Sequence, residues 1–305
     1  MSAVPPTSND SSAAGPSKTP LTRRWLLNLV LLGVVLTLAL FAWYRPGDDN
    51  KPALRLTDIS PQAVRRVEIE QKNQPSVLLE RSDAGWRVVA PVKARANGFA
   101  VDTLLRLLQA PTQNPLATSD ADLGRYGLDK PSLTVRVDDA AIHFGDIHPI
   151  RDEHYVHYGS SVYLISSRFY AQAAARYSNY IDTLLIETGR KPVAFKLPKF
   201  TLEIKDGTWQ RRPEEQALSS DRINAFVDDW QHARALNVEQ HSGRLVQERV
   251  TITFESEGGT RTPLTLGVIA RSPELVLVRP DEQLDYHFPE ETAQRLLTLS
   301  ADNPK

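Results

Sequence analysis

The sequence predicts an α+β protein. It has an N-terminal transmembrane helix followed by two tandem, internally duplicated α+β halves with mostly antiparallel sheets. Three observations carry that reading. Trp25–Tyr44 is a long run without charge. After about residue 57, short stretches of period-2 alternation are broken by patches of helical period. The order of these stretches then repeats, with landmarks about 122 residues apart.

Trp25–Tyr44 reads WLLNLVLLGVVLTLALFAWY, and its clearly polar members are Asn28 and Thr37. At about 1.5 Å per residue such a helix is about 30 Å long, the thickness of a bilayer's hydrocarbon core. Trp25, Trp43 and Tyr44 suit the two interfaces. Lys18, Arg23 and Arg24 precede the run and Arg45 and Lys51 follow it, a bias toward a cytoplasmic N-terminus. Phe41-Ala42-Trp43-Tyr44-Arg45 is a poor cleavage sequence, which argues against a signal peptide. The expectation is a single-pass inner-membrane protein, with the bilayer itself a partner through Trp25 to Tyr44 and the C-terminal halves in the periplasm.

The organisation follows in order. Residues 1–22, rich in Ser, Pro and Ala, cannot bury enough apolar surface to fold and read as a disordered cytoplasmic tail. Residues 23–45 are the transmembrane helix and 46–56 a linker. The first repeat domain is 57–188. It has an alternating strand at 65–70, then Val77–Glu80 and Trp86–Val89 around the turn Ser82-Asp83-Ala84-Gly85. Val101, Leu104, Leu105 and Leu108 lie on one face of a helix that Pro111 stops. Strands are expected at Leu133–Val137, Ala141–Phe144, Tyr155–Tyr158 and Val162–Ile165, then a helix over Arg168–Arg176.

The second repeat domain, 189–305, runs through the same order. Phe200–Ile204 and Trp209–Arg211 flank a Lys205-Asp206-Gly207 turn. Ser219 or Ser220 caps a helix bearing Ile223, Phe226, Val227 and Trp230. Strands follow at Val250–Phe254, Leu264–Val268, Leu275–Val278 and Asp285–Phe288, then a helix over Glu290–Leu297. Trp86 and Trp209 are 123 apart, as are Tyr163 and Tyr286; Gly145 and Gly267 are 122 apart, as are the four helix anchors. That constant offset predicts an internal duplication.

Composition narrows the function classes. The formal net charge is −1 and there is no cysteine. The balance leaves no basic footprint for nucleic acid. The missing thiols remove cysteine nucleophiles, disulfides and cysteine-based zinc sites.

No residue set is assigned as catalytic, cofactor-binding or metal-ligating, and no cofactor is expected. His143, His148, His154 and His157, with Asp146, Asp152 and Glu153 among them, are the densest cluster of metal-type side chains. Residues three apart on a strand point to opposite faces, so His154 and His157 cannot chelate together, and Gly145 separates His143 from His148. Ser119–Gly124 hints at a calcium loop but lacks the distal bidentate glutamate. Gly159-Ser160-Ser161 lies between strands and is a hairpin turn rather than a nucleophile elbow. Glu214-Glu215 and Asp228-Asp229 are neighbours that do not face one another as an acid–base pair. Trp86 and Trp209 each follow an Asp/Gly turn and read as hairpin residues covering the core edge, with ligand platforms as the alternative.

The Val67-Glu68-Ile69 strand, the Asp83–Val88 turn with Pro91, and Tyr126-Gly127-Leu128-Asp129-Lys130-Pro131 before Leu133-Thr134-Val135 resemble the domain-of-unknown-function 4340 family of bacterial envelope proteins. Phe144-Gly145-Asp146, Tyr155-Val156 and Val162–Ile165 also fit. The likeness covers roughly 60–185, the second half being a diverged copy. It implies a membrane-tethered domain, linked in some members to gliding-motility-type ABC transport systems, with no catalytic residues to carry over. The functional expectation is a non-enzymatic accessory or scaffold protein of an envelope complex, with unknown envelope proteins as partners. The alternative is a periplasmic binding module for a glycan, lipid or peptide, with Tyr155, Tyr158 and Tyr170 as candidate contacts.

Overall fold

A computed structural model describes residues 21–44, 54–116, 120–215 and 218–301. Most of the expected tail, most of the linker and the start of Ser119–Gly124 lie outside the described residues; Leu21 and Thr22, expected in the tail, begin a helix. The chain divides into two compact units, Met1–Pro52 and Ala53–Lys305.

The first unit contributes one helix, α1 (Leu21–Tyr44), whose described side chains run from Trp25 to Leu40 and are all exposed. Among the described residues, no helix is long and apolar enough to cross a membrane. This corrects the expected transmembrane span over Trp25–Tyr44 and, with it, the single-pass inner-membrane placement.

The second unit holds the remaining elements. In chain order these are β1 (Leu54–Arg55), β2 (Arg66–Gln71), β3 (Val77–Ser82), β4 (Gly85–Ala90), β5 (Ala94–Arg95), α2 (Gly98–Leu105), β6 (Pro111–Thr112), β7 (Leu133–Val137), β8 (Ala140–Ile147), β9 (Glu153–Tyr158), β10 (Ser161–Ser166) and α3 (Ser167–Ala173). There follow β11 (Lys191–Lys196), β12 (Thr201–Lys205), β13 (Thr208–Arg212), α4 (Ser220–Gln231), β14 (Asn237–Gln240), β15 (Glu248–Glu255), β16 (Arg261–Ala270), β17 (Glu274–Arg279), β18 (Leu284–Pro289) and α5 (Glu290–Leu297).

The architecture is mostly antiparallel β, which corrects the α+β expectation. Two eight-stranded sheets dominate, ordered β10-β9-β8-β7-β2-β3-β4-β5 and β13-β12-β11-β15-β16-β17-β18-β14. The helices of this unit are short, the longest being α4 with 12 residues. Seven strands follow one order in both sheets: β4-β3-β2-β7-β8-β9-β10 in the first and β13-β12-β11-β15-β16-β17-β18 in the second.

The local chemistry explains the elements. Gly85 closes the β3–β4 hairpin with a φ of 108°, a backbone open to glycine. The Asn97 side chain accepts the Ala100 N–H at the start of α2, and Ser219 accepts that of Arg222 at the start of α4. β11 escapes the alternation pattern because Pro192 cannot donate to a ladder, yet it is an inner strand of the second sheet. A register shift between Pro192 and Ala194 in its pairing with β15 accommodates it.

One buried apolar cluster runs from Leu56 to Leu299 and draws on both sheets. Val135, Ile142, Phe144 and Val156 supply it from the first sheet; Phe195, Ile252, Leu266 and Leu277 supply it from the second. Each such side chain contributes about 1.5–3 kcal/mol by leaving water. The connecting segment 180–185 is stitched to both halves: the Asn97 N–H donates to the Tyr180 carbonyl (2.8 Å), and the Leu185 N–H to that of Ala233 (2.9 Å).

Candidate functional site

The outward face of the first sheet carries the densest chemistry. Alternation sends Val135, Ile142, Phe144 and Val156 into the core, so their neighbours point the other way. Register then lines up Glu70 with Thr134, Thr134 with His143, His143 with His157, and His157 with Val162, one row across five strands. Directly opposed side chains share a face with Cβ atoms about 5 Å apart. The His143 and His157 rings accordingly lie 6.0 Å apart, 23° from parallel.

His143 Nδ1 is 3.2 Å from the Thr134 hydroxyl. Burial lowers the His143 pKa, the neighbouring His157 and Arg136 lower it further, and Glu70 opposes them. The result is an imidazole held neutral, with its second nitrogen free of the Thr134 bond. Both rings line an open cavity of about 670 Å³, together with Asp138, Asp139 and Tyr158.

The other two histidines of the cluster lie elsewhere. His154 stacks on Tyr170 of α3 at 4.3 Å and 8°, with Nδ1 3.0 Å from the Ser167 hydroxyl; burial lowers its pKa, against Asp152 and Asp146. His148 Nδ1 accepts the backbone N–H of Ile150 and of Arg151, each at 3.2 Å. Tyr155 meets Tyr126 (4.6 Å) and His148 (5.7 Å), Tyr158 borders the cavity, and Tyr170 faces His154, so the three tyrosines do not converge. Among the described residues, no three His, Cys, Asp or Glu side chains are grouped to hold a metal ion.

The adjacent acidic pairs have structural partners. Glu215 pairs with Arg211 (3.3 Å) and accepts the Ala301 N–H (2.9 Å). Asp229 pairs with Arg295, joining α4 to α5, and Asp228 with His232. Trp86 is 8 % exposed, with the Arg81 guanidinium 5.2 Å from its ring. Trp209 packs on Phe195 at 5.9 Å and borders a second cavity of about 500 Å³. Gly159-Ser160-Ser161 joins β9 to β10.

Sequence reasoning missed an ionic clamp between the halves. Arg279 ends β17 with its side chain 3 % exposed, bonded to the Leu185 carbonyl (2.9 Å), Glu187 (3.1 Å) and Asp281 (2.7 Å). Arg95 from the first half reaches Asp182 at 2.8 Å and Glu282 at 3.6 Å. Burial disfavours charge on Arg279, but the Asp281 bond and the Glu282 and Glu187 charges outweigh it and raise its pKa. Burial likewise pushes Glu187 up, yet Arg279, a backbone N–H, Arg190 and Arg95 prevail and hold its carboxyl at about 2. The Tyr286 hydroxyl donates to Glu282 at 2.7 Å, and burial, then Glu282, raises its pKa. The signal lay in the run Glu274–Arg279, where an arginine follows the apolar Leu275–Val278 and has to find partners inside.

A second buried charge pins a loop. Asp285 is fully buried, with its carboxylate 2.7 Å from His241 Nδ1 and accepting the Ser242 N–H (3.1 Å) and hydroxyl (3.0 Å). This His–Asp–Ser grouping is a fastening: both side chains bond to the carboxylate, and neither aims at a shared reacting atom.

The family described as Domain of unknown function (DUF4340) matches the chain over residues 86–251, more than half its length and across both halves. No curated protein and no solved structure matches the chain.

Proposed function

The chain belongs to the DUF4340 family, and from that premise we propose that it acts as a non-enzymatic accessory or scaffold component of a larger protein assembly. The partner class this reading favours is a gliding-motility-type ABC transport system. What supports it is the large apolar core shared by both sheets, with Arg95 and Arg279 both reaching Glu282, which suits the second unit to presenting surface. On that unit, Ile147 (55 % exposed) ends β8 and Ile150 (89 % exposed) lies in the β8–β9 connection. His148, held by two backbone N–H groups, stiffens this connection. Apolar side chains on a fixed loop suit a protein contact.

The test is crosslinking of the full-length protein in its native cells, with mass spectrometry of the products. A defined partner whose crosslinks centre on residues 147–151, and which Ile150→Asp removes without shifting the melting temperature, is the expected result. A lone monomer, or crosslinks indifferent to Ile150→Asp, would overturn this reading. A binding module for a small ligand is the second reading, and the cavity beside His143 and His157 favours it.

A further inference from the structure

We propose that His143 and His157 form a two-imidazole site for a first-row divalent transition metal, completed by water or by a ligand from solution. The inference is independent of the scaffold reading and starts from register. The two histidines oppose one another on adjacent antiparallel strands, so their rings leave the same face side by side. An imidazole nitrogen binds such an ion at about 2.0–2.1 Å, so two rings sharing one ion have centroids about 5–6.5 Å apart. The observed separation of 6.0 Å falls in that range.

The surroundings fit the chemistry of a ligand pair. The Thr134 hydroxyl engages Nδ1 of His143, which fixes the ring's orientation and leaves Nε2 for the ion, the outer-shell arrangement ligating histidines use. Arg136 stands beside His143, and its guanidinium is bonded to Glu70 at 3.1 Å. Asp138 and Asp139 border the same cavity. Asp138 is occupied in accepting the Arg65 and Arg66 backbone N–H groups, which leaves the remaining coordination positions to solvent.

Two nitrogen ligands and open positions select for the imidazole-preferring ions Cu²⁺, Ni²⁺ and Zn²⁺ over Mg²⁺ and Ca²⁺, with Cu²⁺ bound more tightly than Ni²⁺ or Zn²⁺. The cavity of about 670 Å³ leaves room for a further ligand on the ion.

Calorimetric titration of the full-length protein with Ni²⁺ and with Zn²⁺ tests the proposal. The expected result is one saturable equivalent that weakens at least about tenfold in His143→Ala and in His157→Ala, a ligand being worth no less than its outer-shell support. Binding also falls as the pH drops and protons compete for the imidazoles. His148→Ala and His154→Ala leave it unchanged. His143→Gln and His157→Gln, checked for an unaltered melt without metal, separate loss of a ligand from loss of the fold. An absent saturable site, or affinity that survives His143→Gln and His157→Gln, would overturn the assignment, as would equal loss in His148→Ala.

Discussion

The two sheets share a seven-strand order, yet they treat two matching positions in opposite ways. Tyr163 pairs with Val156 in the first sheet as Tyr286 pairs with Leu277 in the second, which aligns Val162 with Asp285 and Tyr158 with Arg279. Val162 is fully buried and apolar; Asp285 is fully buried and charged. Tyr158 edges an open cavity, whereas Arg279 is sealed among carboxylates. The same strand order thus holds with either chemistry. A buried charge persists only where other segments bring its partners: 241–242 for Asp285, and the 185–187 connection for Arg279. Among the described residues, the buried arginine is Arg279 of the second half, where that connection reaches β17.

The sharpest way to break the contrast is Arg279→Met. It keeps an apolar stem but strands Glu187, Asp281 and Glu282. Removing one partner of a buried ion pair costs about 3–5 kcal/mol. Urea unfolding of the full-length protein reads this loss, and a change under 1 kcal/mol would mean the carboxylates reach water without the guanidinium.

Gly145 and Gly267 offer a finer comparison. A Cβ on Gly145 would run into the Tyr126 carbonyl oxygen, which is backbone. A Cβ on Gly267 would meet methyl groups of Val246 and Val278 at 2.6–2.9 Å, side-chain rather than backbone atoms; Val246 lies in a loop and is exposed, while Val278 is buried in β17. Overpacking typically costs about 1–3 kcal/mol. Gly145→Ala is expected at or above the top of that span and Gly267→Ala near the bottom, as read from paired thermal melts. Equal costs would show that the 241–247 loop is as unyielding as the Tyr126 segment.

The smallest expected effect is on pH dependence. Glu187 has its folded pKa lowered from 4.5 to about 2. The unfolded chain therefore binds this proton first as the pH falls. The stability that Glu187 supplies is complete above about 4.5 and disappears as the pH drops through about 2. Glu187→Gln should flatten that part of the stability–pH curve, and an unchanged slope would remove Glu187 from the clamp's electrostatics.

Much of the local structure was legible. β7 and α5 occupy the spans Leu133–Val137 and Glu290–Leu297 that periodicity predicts, and Ser219 caps α4 as its residue type suggests. β11 was hidden by Pro192, and β14 by a four-residue run too short to show alternation. The histidine cluster was visible, but comparing His154 with His157 along one strand looked in the wrong direction. The pair that meets, His143 with His157, lies across two strands.

By itself the sequence determined the kinds of element and their order, because alternation, helical period and turn residues act over a few neighbours. It also overstated Trp25–Tyr44, since an apolar run indicates hydrophobicity and not a spanning helix. Only the tertiary structure decided what faces what. It set His143 opposite His157, and it brought Glu187 to Arg279 across 92 residues of chain. Register and charge neutralisation depend on contacts between distant segments, and no local pattern records them.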